Sequence, residues 1–197
     1  MASNKAVFFL SLNSNLYQGF IENNDILKSY SKFQFDFLVF DNYEVLNSMF
    51  FNISEIQKHQ ENINSKIELL SEKNKNAIIL SSKAEKDLSN YLNCVYNEFY
   101  KNQGFKRHCK NQIFTNLQPK LRNVGILNHK SPLIDLLCPF LLIEIAYYLY
   151  VYDKGIYNFT MGMESEMEII NAIKSKKYDN FVPFLNYPVE HIKVAID

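Results

Sequence analysis

The chain has 197 residues, 47% of them hydrophobic and 21% charged, a composition that excludes disorder and is long enough to bury a core unaided. Its 21 Lys plus Arg equal its 21 Asp plus Glu, so nucleic-acid capture by an overall field is excluded and any such contact needs a local patch. Three scattered cysteines, Cys94, Cys109 and Cys138, argue against a disulfide scaffold and fit a reducing cytosol, and no Cys/His spacing resembles a metal site.

In chain order, Ala6–Ser11 is a short apolar run met by a polar turn, which predicts a strand buried on both faces. Ser11 then falls where that strand gives out, the edge at which open α/β sheets bind ligands. Its hydroxyl is either a nucleophile or an ordinary turn-former. Leu16–Ser31 reads as a helix, Phe35–Asp41 as a second buried strand, and Asn42 as the cap of a short helix Tyr43–Phe51. A longer helix spans Ile53–Lys73, followed by a third strand, Ala77–Ser81.

Ser82 and Glu85 are spaced as a capping box for a helix whose Leu88, Tyr91, Leu92, Val95, Tyr96 and Phe99 recur every three or four residues. Gly104 is expected to stop it, with another helix over Phe105–Leu117 and a loop over Lys120–Lys130. Ser131 and Pro132 begin a strongly apolar helix to about Tyr150, with a kink expected at Pro139. Asp153–Gly155 turns the chain into a fourth strand, Ile156–Met161. Glu164–Lys176 reads as a helix, Tyr178–Phe184 as another, and His191–Ile196 as a last strand. Strands alternating with helices predict a single α/β domain over residues 1–197, a layered fold with a mainly parallel sheet.

Ala6–Leu12 is too short for a secretion signal, and Asp135 and Glu144 oppose membrane insertion of Leu133–Val151 by about 5 to 7 kcal/mol. No membrane partner is therefore expected. Glu144 lies in Phe140–Leu141–Leu142–Ile143–Glu144. A carboxylate there is either a satisfied buried ion or an anion held for a substrate ammonium or a proton. Neither a Walker motif nor GxGxxG is present, so no nucleotide cofactor is expected. Basic residues cluster around Lys106, Arg107 and Lys110, with Phe105 and Phe114 between them. Such a run is a solvated helix face or a phosphate-contacting surface.

These pieces resemble the tRNA-dependent cyclodipeptide synthases from Lys5 to about Met163. AVFFLSLNSNLYQ is similar to the family's first strand, catalytic serine and following turn, and FDFLVFDNYEVLNSM to its second strand and short helix. The family's Tyr-x3-Glu helix motif stands here as Phe140 to Glu144. The resemblance implies a Rossmann-like three-layer fold, related to the catalytic domain of class I tyrosyl- and tryptophanyl-tRNA synthetases but without an ATP site. It implies aminoacyl-tRNA substrates, no cofactor, no metal and a cytoplasmic enzyme. Ser11 would become an aminoacyl-serine, Glu144 would hold the α-ammonium, and a second aminoacyl-tRNA would lead through a dipeptidyl-enzyme to a diketopiperazine.

Phe9, Ser14, Leu38 and Phe140 would contact substrate. Phe9 replaces the family's usual Gly two residues before the serine, and Phe140 lacks the family's hydroxyl. Tyr157 is the nearest candidate for the family's further tyrosine. The family's basic tRNA-binding helix corresponds to Ile53–Lys75, where glutamates offset the lysines, leaving Lys106, Arg107 and Lys110 as a substitute surface. The alternative implied by these departures is a relative that binds tRNA or a protein without forming peptide bonds.

Overall fold

The computed structural model describes residues 5–10, 34–39, 78–81, 85–117, 131–155, 157–161, 167–187 and 191–194, with scattered positions from 54 to 72. The predicted helices Leu16–Ser31 and Tyr43–Phe51, the Asn42 and Ser82 caps, and the loop Lys120–Lys130 lie outside the described residues. Two compact units are formed by the chain. The first comprises Met1–Ala84, Gly155–Glu164 and Val189–Asp197; the second comprises Glu85–Lys154 and Ser165–Pro188.

The first unit holds five parallel strands: β1 Lys5–Leu10, β2 Gln34–Val39, β3 Ile78–Ser81, β4 Tyr157–Met161 and β5 His191–Val194. Aromatic and branched residues dominate them, side chains that suit a pleated, buried surface. Their order is β3-β2-β1-β4-β5. The chain therefore steps from β1 through β2 to β3 in one direction, then returns beside β1 and steps the other way. This is the doubly wound arrangement, and its topological switch point lies between β1 and β4. The register runs Phe8↔Phe37↔Ile79 on one side of β1 and Phe8↔Phe159↔Ile192 on the other, a row of apolar residues across all five strands.

Of the expected strands Ala6–Ser11 and Phe35–Asp41, Ser11, Phe40 and Asp41 lie outside the described residues. Described positions between 54 and 72 are helical, within the predicted Ile53–Lys73, and all are exposed.

The second unit is helical, with α1 Glu85–Lys101, α2 Gln103–Leu117, α3 Pro132–Lys154, α4 Glu168–Lys174 and a 3-10 turn, Asp179–Phe184. The apolar stripe of α1 is buried at Leu88, Tyr91, Val95 and Phe99, where the sequence period places it. Gly104 does not stop this helix. Lys101 ends it, and Asn102 starts α2: its Oδ1 accepts from the N–H groups of Gly104 (2.9 Å) and Phe105 (3.1 Å). A polar side chain satisfying two orphan amides outweighs the helix-breaking tendency of the glycine.

α3 is one uninterrupted helix through Pro139 and continues past Tyr150 to Lys154, taking in two residues expected to turn. Gly155, at φ 64°, then ends it in the left-handed conformation that glycine adopts without a Cβ clash. By length and composition α3 could cross a membrane; in the fold it packs against α1, α2 and the 3-10 turn. Each fully buried Ile or Leu along it, such as Ile134, Ile145 and Leu149, contributes about 1.5 to 3 kcal/mol.

α4 is shorter than the predicted Glu164–Lys176. Its end is closed by bonds from Lys177 N–H to the Ala172 carbonyl and from Lys176 N–H to the Ile173 carbonyl. Lys176 stands at φ 59° in this closure, where glycine is the usual occupant.

Candidate functional site

Glu144 sits on α3 one turn after Phe140, and both side chains are half-buried. Leu136, a turn earlier still, is 54% exposed, whereas Tyr148, a turn later, is 2% exposed. The row Leu136–Phe140–Glu144–Tyr148 thus descends from surface to core, with its one carboxylate partway down. Burial alone pushes the Glu144 carboxyl up to about 7. Such a group changes charge near neutrality, which suits it to meet a cation or exchange a proton.

Ser11 and Ser14 lie outside the described residues. What can be placed is the strand leading to them: β1 ends at Leu10, at the carboxyl edge of the switch-point strand. Phe9 and Leu38 are direct partners in adjacent strands, one residue before the last pair, Leu10 and Val39. The sheet therefore brings these two expected pocket residues side by side next to that edge. Tyr157 is placed at the other end. It opens β4 and pairs with Ala6, while Thr160 pairs with Phe9. At about 3.3 Å per residue, Tyr157 and the carboxyl edge are separated by most of a strand length.

The basic run on α2 divides. Lys110 Nζ lies 2.5 Å from Asp135 Oδ1 of α3, and Lys106 Nζ sits 5.3 Å from the centre of the Phe99 ring. Both are tied into the helical unit, and Arg107 alone of the three is exposed.

Sequence reasoning missed a polar network beside this run. Glu98 is 3% exposed, and its carboxylate accepts from the Asn102 amide (2.6 Å) and from the Asn180 amide. Cys94 Sγ donates to the Asn180 carbonyl at 3.3 Å. The Asn102 spacing is a visible i, i+4 signal, but Asn180 lies 82 residues away and leaves no trace in sequence. A second missed cluster centres on Asp153, which accepts from the Tyr91 hydroxyl (2.7 Å) and the Asn186 amide (2.6 Å) and pairs with Lys154 (3.1 Å). Burial, then the bond to Asp153, pushes the Tyr91 phenol up to about 12, so it stays a donor.

Near α4, His108 Nδ1 bonds the Tyr178 hydroxyl at 2.8 Å, while its Nε2 lies 3.8 Å from Glu168 Oε1 and has no hydrogen-bond partner among the described residues. Cys109 and Cys138 are buried free thiols, the latter pushed by burial up to about 11. Among the described residues no group of three or more His, Cys, Asp or Glu could hold a metal.

The structure is similar to those of solved cyclodipeptide synthases. One from Staphylococcus haemolyticus has a TM-score of 0.65 at 16% identity, covering 88% of this chain and 83% of that one. Another, from Fluoribacter dumoffii, has a TM-score of 0.63 at 14% identity, with 96% and 89% covered. AlbC, a cyclodipeptide synthase from Streptomyces noursei, has a TM-score of 0.53 at 11% identity, with 98% and 96% covered. No protein-family model and no curated protein matches the sequence.

Proposed function

We propose that this chain is an aminoacyl-tRNA-dependent transferase that forms cyclodipeptides. In this reading residues 1–197 make one three-layer Rossmann-like domain that works in the cytoplasm without a cofactor. The observation that carries it is the fold shared with cyclodipeptide synthases over 88% to 98% of the chain. The reading is supported by the sequence position of Ser11, directly after the strand at the switch point.

The Ser11 hydroxyl attacks the carbonyl carbon of an aminoacyl-tRNA ester. The bond to the tRNA ribose oxygen breaks, and that oxygen leaves with the proton serine gives up. One ester replaces another, so no strong base is needed. Glu144 receives the α-ammonium. A carboxyl near 7 faces an ordinary α-amino value of about 7.7 to 8.0, so ionic holding and proton removal lie close in energy. The freed amine attacks the ester of a second aminoacyl-tRNA, giving a dipeptidyl-serine and releasing the second tRNA. The new terminal amine then attacks the seryl ester, which closes the diketopiperazine ring and restores the Ser11 hydroxyl. Phe9, Leu38, Ser14 and Phe140 line the substrate in this reading, and Tyr157, at the far end of β4, supplies no group to the reaction.

The test is mass spectrometry of the protein after mixing with charged tRNA, and of medium from an expressing bacterial culture. An aminoacyl adduct on Ser11 and a diketopiperazine are expected, and both are lost in Ser11→Ala. Wild-type protein that gives neither refutes the reading.

A second reading, a relative that binds tRNA or a protein without making peptide bonds, is favoured by Phe9 and Phe140, which stand where the resemblance expects a glycine and a tyrosine. Over Ile53–Lys75 glutamates offset the lysines, so electrostatic capture of tRNA by that stretch would be weak. Bound tRNA with no adduct on Ser11 is its signature.

A further inference from the structure

One buried polar atom of the second unit is left without a hydrogen bond among the described residues: Nε2 of His108, on α2. The His108 side chain is only 12% exposed. Its other ring nitrogen is occupied, for Nδ1 lies 2.8 Å from the Tyr178 hydroxyl. Burial, first of several causes, pushes the Tyr178 phenol above its usual value, so it keeps its hydrogen and donates it to Nδ1. The proton of the neutral imidazole then sits on Nε2, a buried donor with no acceptor in reach.

An acceptor stands just outside that reach. Glu168 Oε1, in the first turn of α4, is 3.8 Å from Nε2, too far for a hydrogen bond. The Glu168 side chain is 87% exposed, so solvent leaves it room to swing. One turn along α2 from His108, Gln112 Oε1 accepts from the Ile169 N–H at 3.3 Å. This face of α2 thus already holds the start of α4 by one bond.

Groups on the neighbouring elements act on the ring. Burial is the strongest influence and opposes the positive charge, Glu168 favours it, and exposed Lys177 opposes it; together they hold the imidazole below its usual 6.5. Tyr178, at Nδ1, itself feels Cys109, Glu98 and Glu168. The ring is therefore neutral near pH 7 and gains its charge on acidification. Protonation puts an N–H on both nitrogens. The Tyr178 bond turns round, with the phenol oxygen accepting from Nδ1–H, and Nε2–H becomes a cationic donor beside a carboxylate.

We propose that His108 is a proton-operated switch between α2 and α4: neutral, it leaves the Glu168 carboxylate in solvent; charged, it draws that carboxylate onto Nε2 and fastens the start of α4 to α2. The switch does not depend on the reaction proposed above. The experiment follows full-length protein by NMR from pH 8 to pH 5, reading the His108 ring and the hydrogen exchange of the α4 amides. Wild type is compared with Glu168→Gln, a change at an exposed side chain, and with His108→Gln.

His108 is expected to titrate below 6.5, and Glu168→Gln moves that midpoint to still lower pH. Corrected for the intrinsic effect of pH, exchange at the Ile169, Ile170 and Asn171 amides slows about two- to fivefold on acidification in wild type, the worth of one exposed ion pair. Neither variant shows this slowing, and Glu168→Gln alone decides the matter if His108→Gln does not fold. A His108 midpoint that Glu168→Gln leaves in place overturns the proposal. So does α4 exchange that responds to pH in Glu168→Gln as it does in wild type.

Discussion

Replacing Glu144 by Gln should make the protein more stable as pH rises. The reason lies in the carboxyl's displacement from an ordinary 4.5 to about 7 by burial. A raised carboxyl value means that the folded state disfavours the charge. Its contribution to stability is therefore fully present below about pH 4.5, is lost progressively as pH rises from there, and is gone once pH passes about 7. At 1.36 kcal/mol per pH unit, the displacement corresponds to about 3 kcal/mol. Gln carries no charge at any pH and escapes this loss.

The gap between variant and wild type should accordingly be under about 1 kcal/mol at pH 5 and near 3 kcal/mol at pH 8. For a chain of this length that widening moves the difference in Tm by about 5 to 10 °C. Thermal unfolding of both proteins from pH 5 to pH 8.5, in matched buffers, measures it. Parallel pH profiles would show that Glu144 titrates normally in the fold and would refute the reasoning. The same substitution should abolish adduct turnover if the carboxylate holds the substrate ammonium, so stability and activity move in opposite directions. That opposition is expected of a charge kept for binding rather than for folding.

Two further outcomes follow from the helical unit. Asn102→Ala removes the cap of α2 and one of the two amides on the buried Glu98 carboxylate; a loss of about 2 to 4 kcal/mol is expected in chemical denaturation. Lys176→Gly relieves a left-handed backbone at φ 59° and should raise stability by about 1 kcal/mol in the same assay.

How far the fold was legible depended on the range of the forces involved. The strands and the amphipathic face of α1 were readable because apolar spacing follows local backbone geometry: Leu88, Tyr91, Val95 and Phe99 are buried as their period demands. Helix ends were less readable. Gly104 suggested a stop, but the break came two residues earlier, because Asn102 can satisfy amides that follow it. Glu144 was legible as an anomaly, a carboxylate in an apolar run.

The neighbours of a side chain left little trace along the chain. Lys106, Arg107 and Lys110 formed one basic run, yet Asp135 and Phe99 engage two of them, and Lys101 and Lys177, 76 positions apart, line one cleft of about 630 Å³. Tyr157 falls at the beginning of its strand, as the expected Ile156–Met161 already had it, but its pairing with Ala6 was not legible, since register between β1 and β4 is set by the whole sheet. Local spacing, capping residues and composition determined which segments are strand or helix, because those preferences act within a few residues. Strand order, the company of each charge and the burial that displaces Glu144 were decided by tertiary packing alone, since they depend on contacts between residues far apart in the chain.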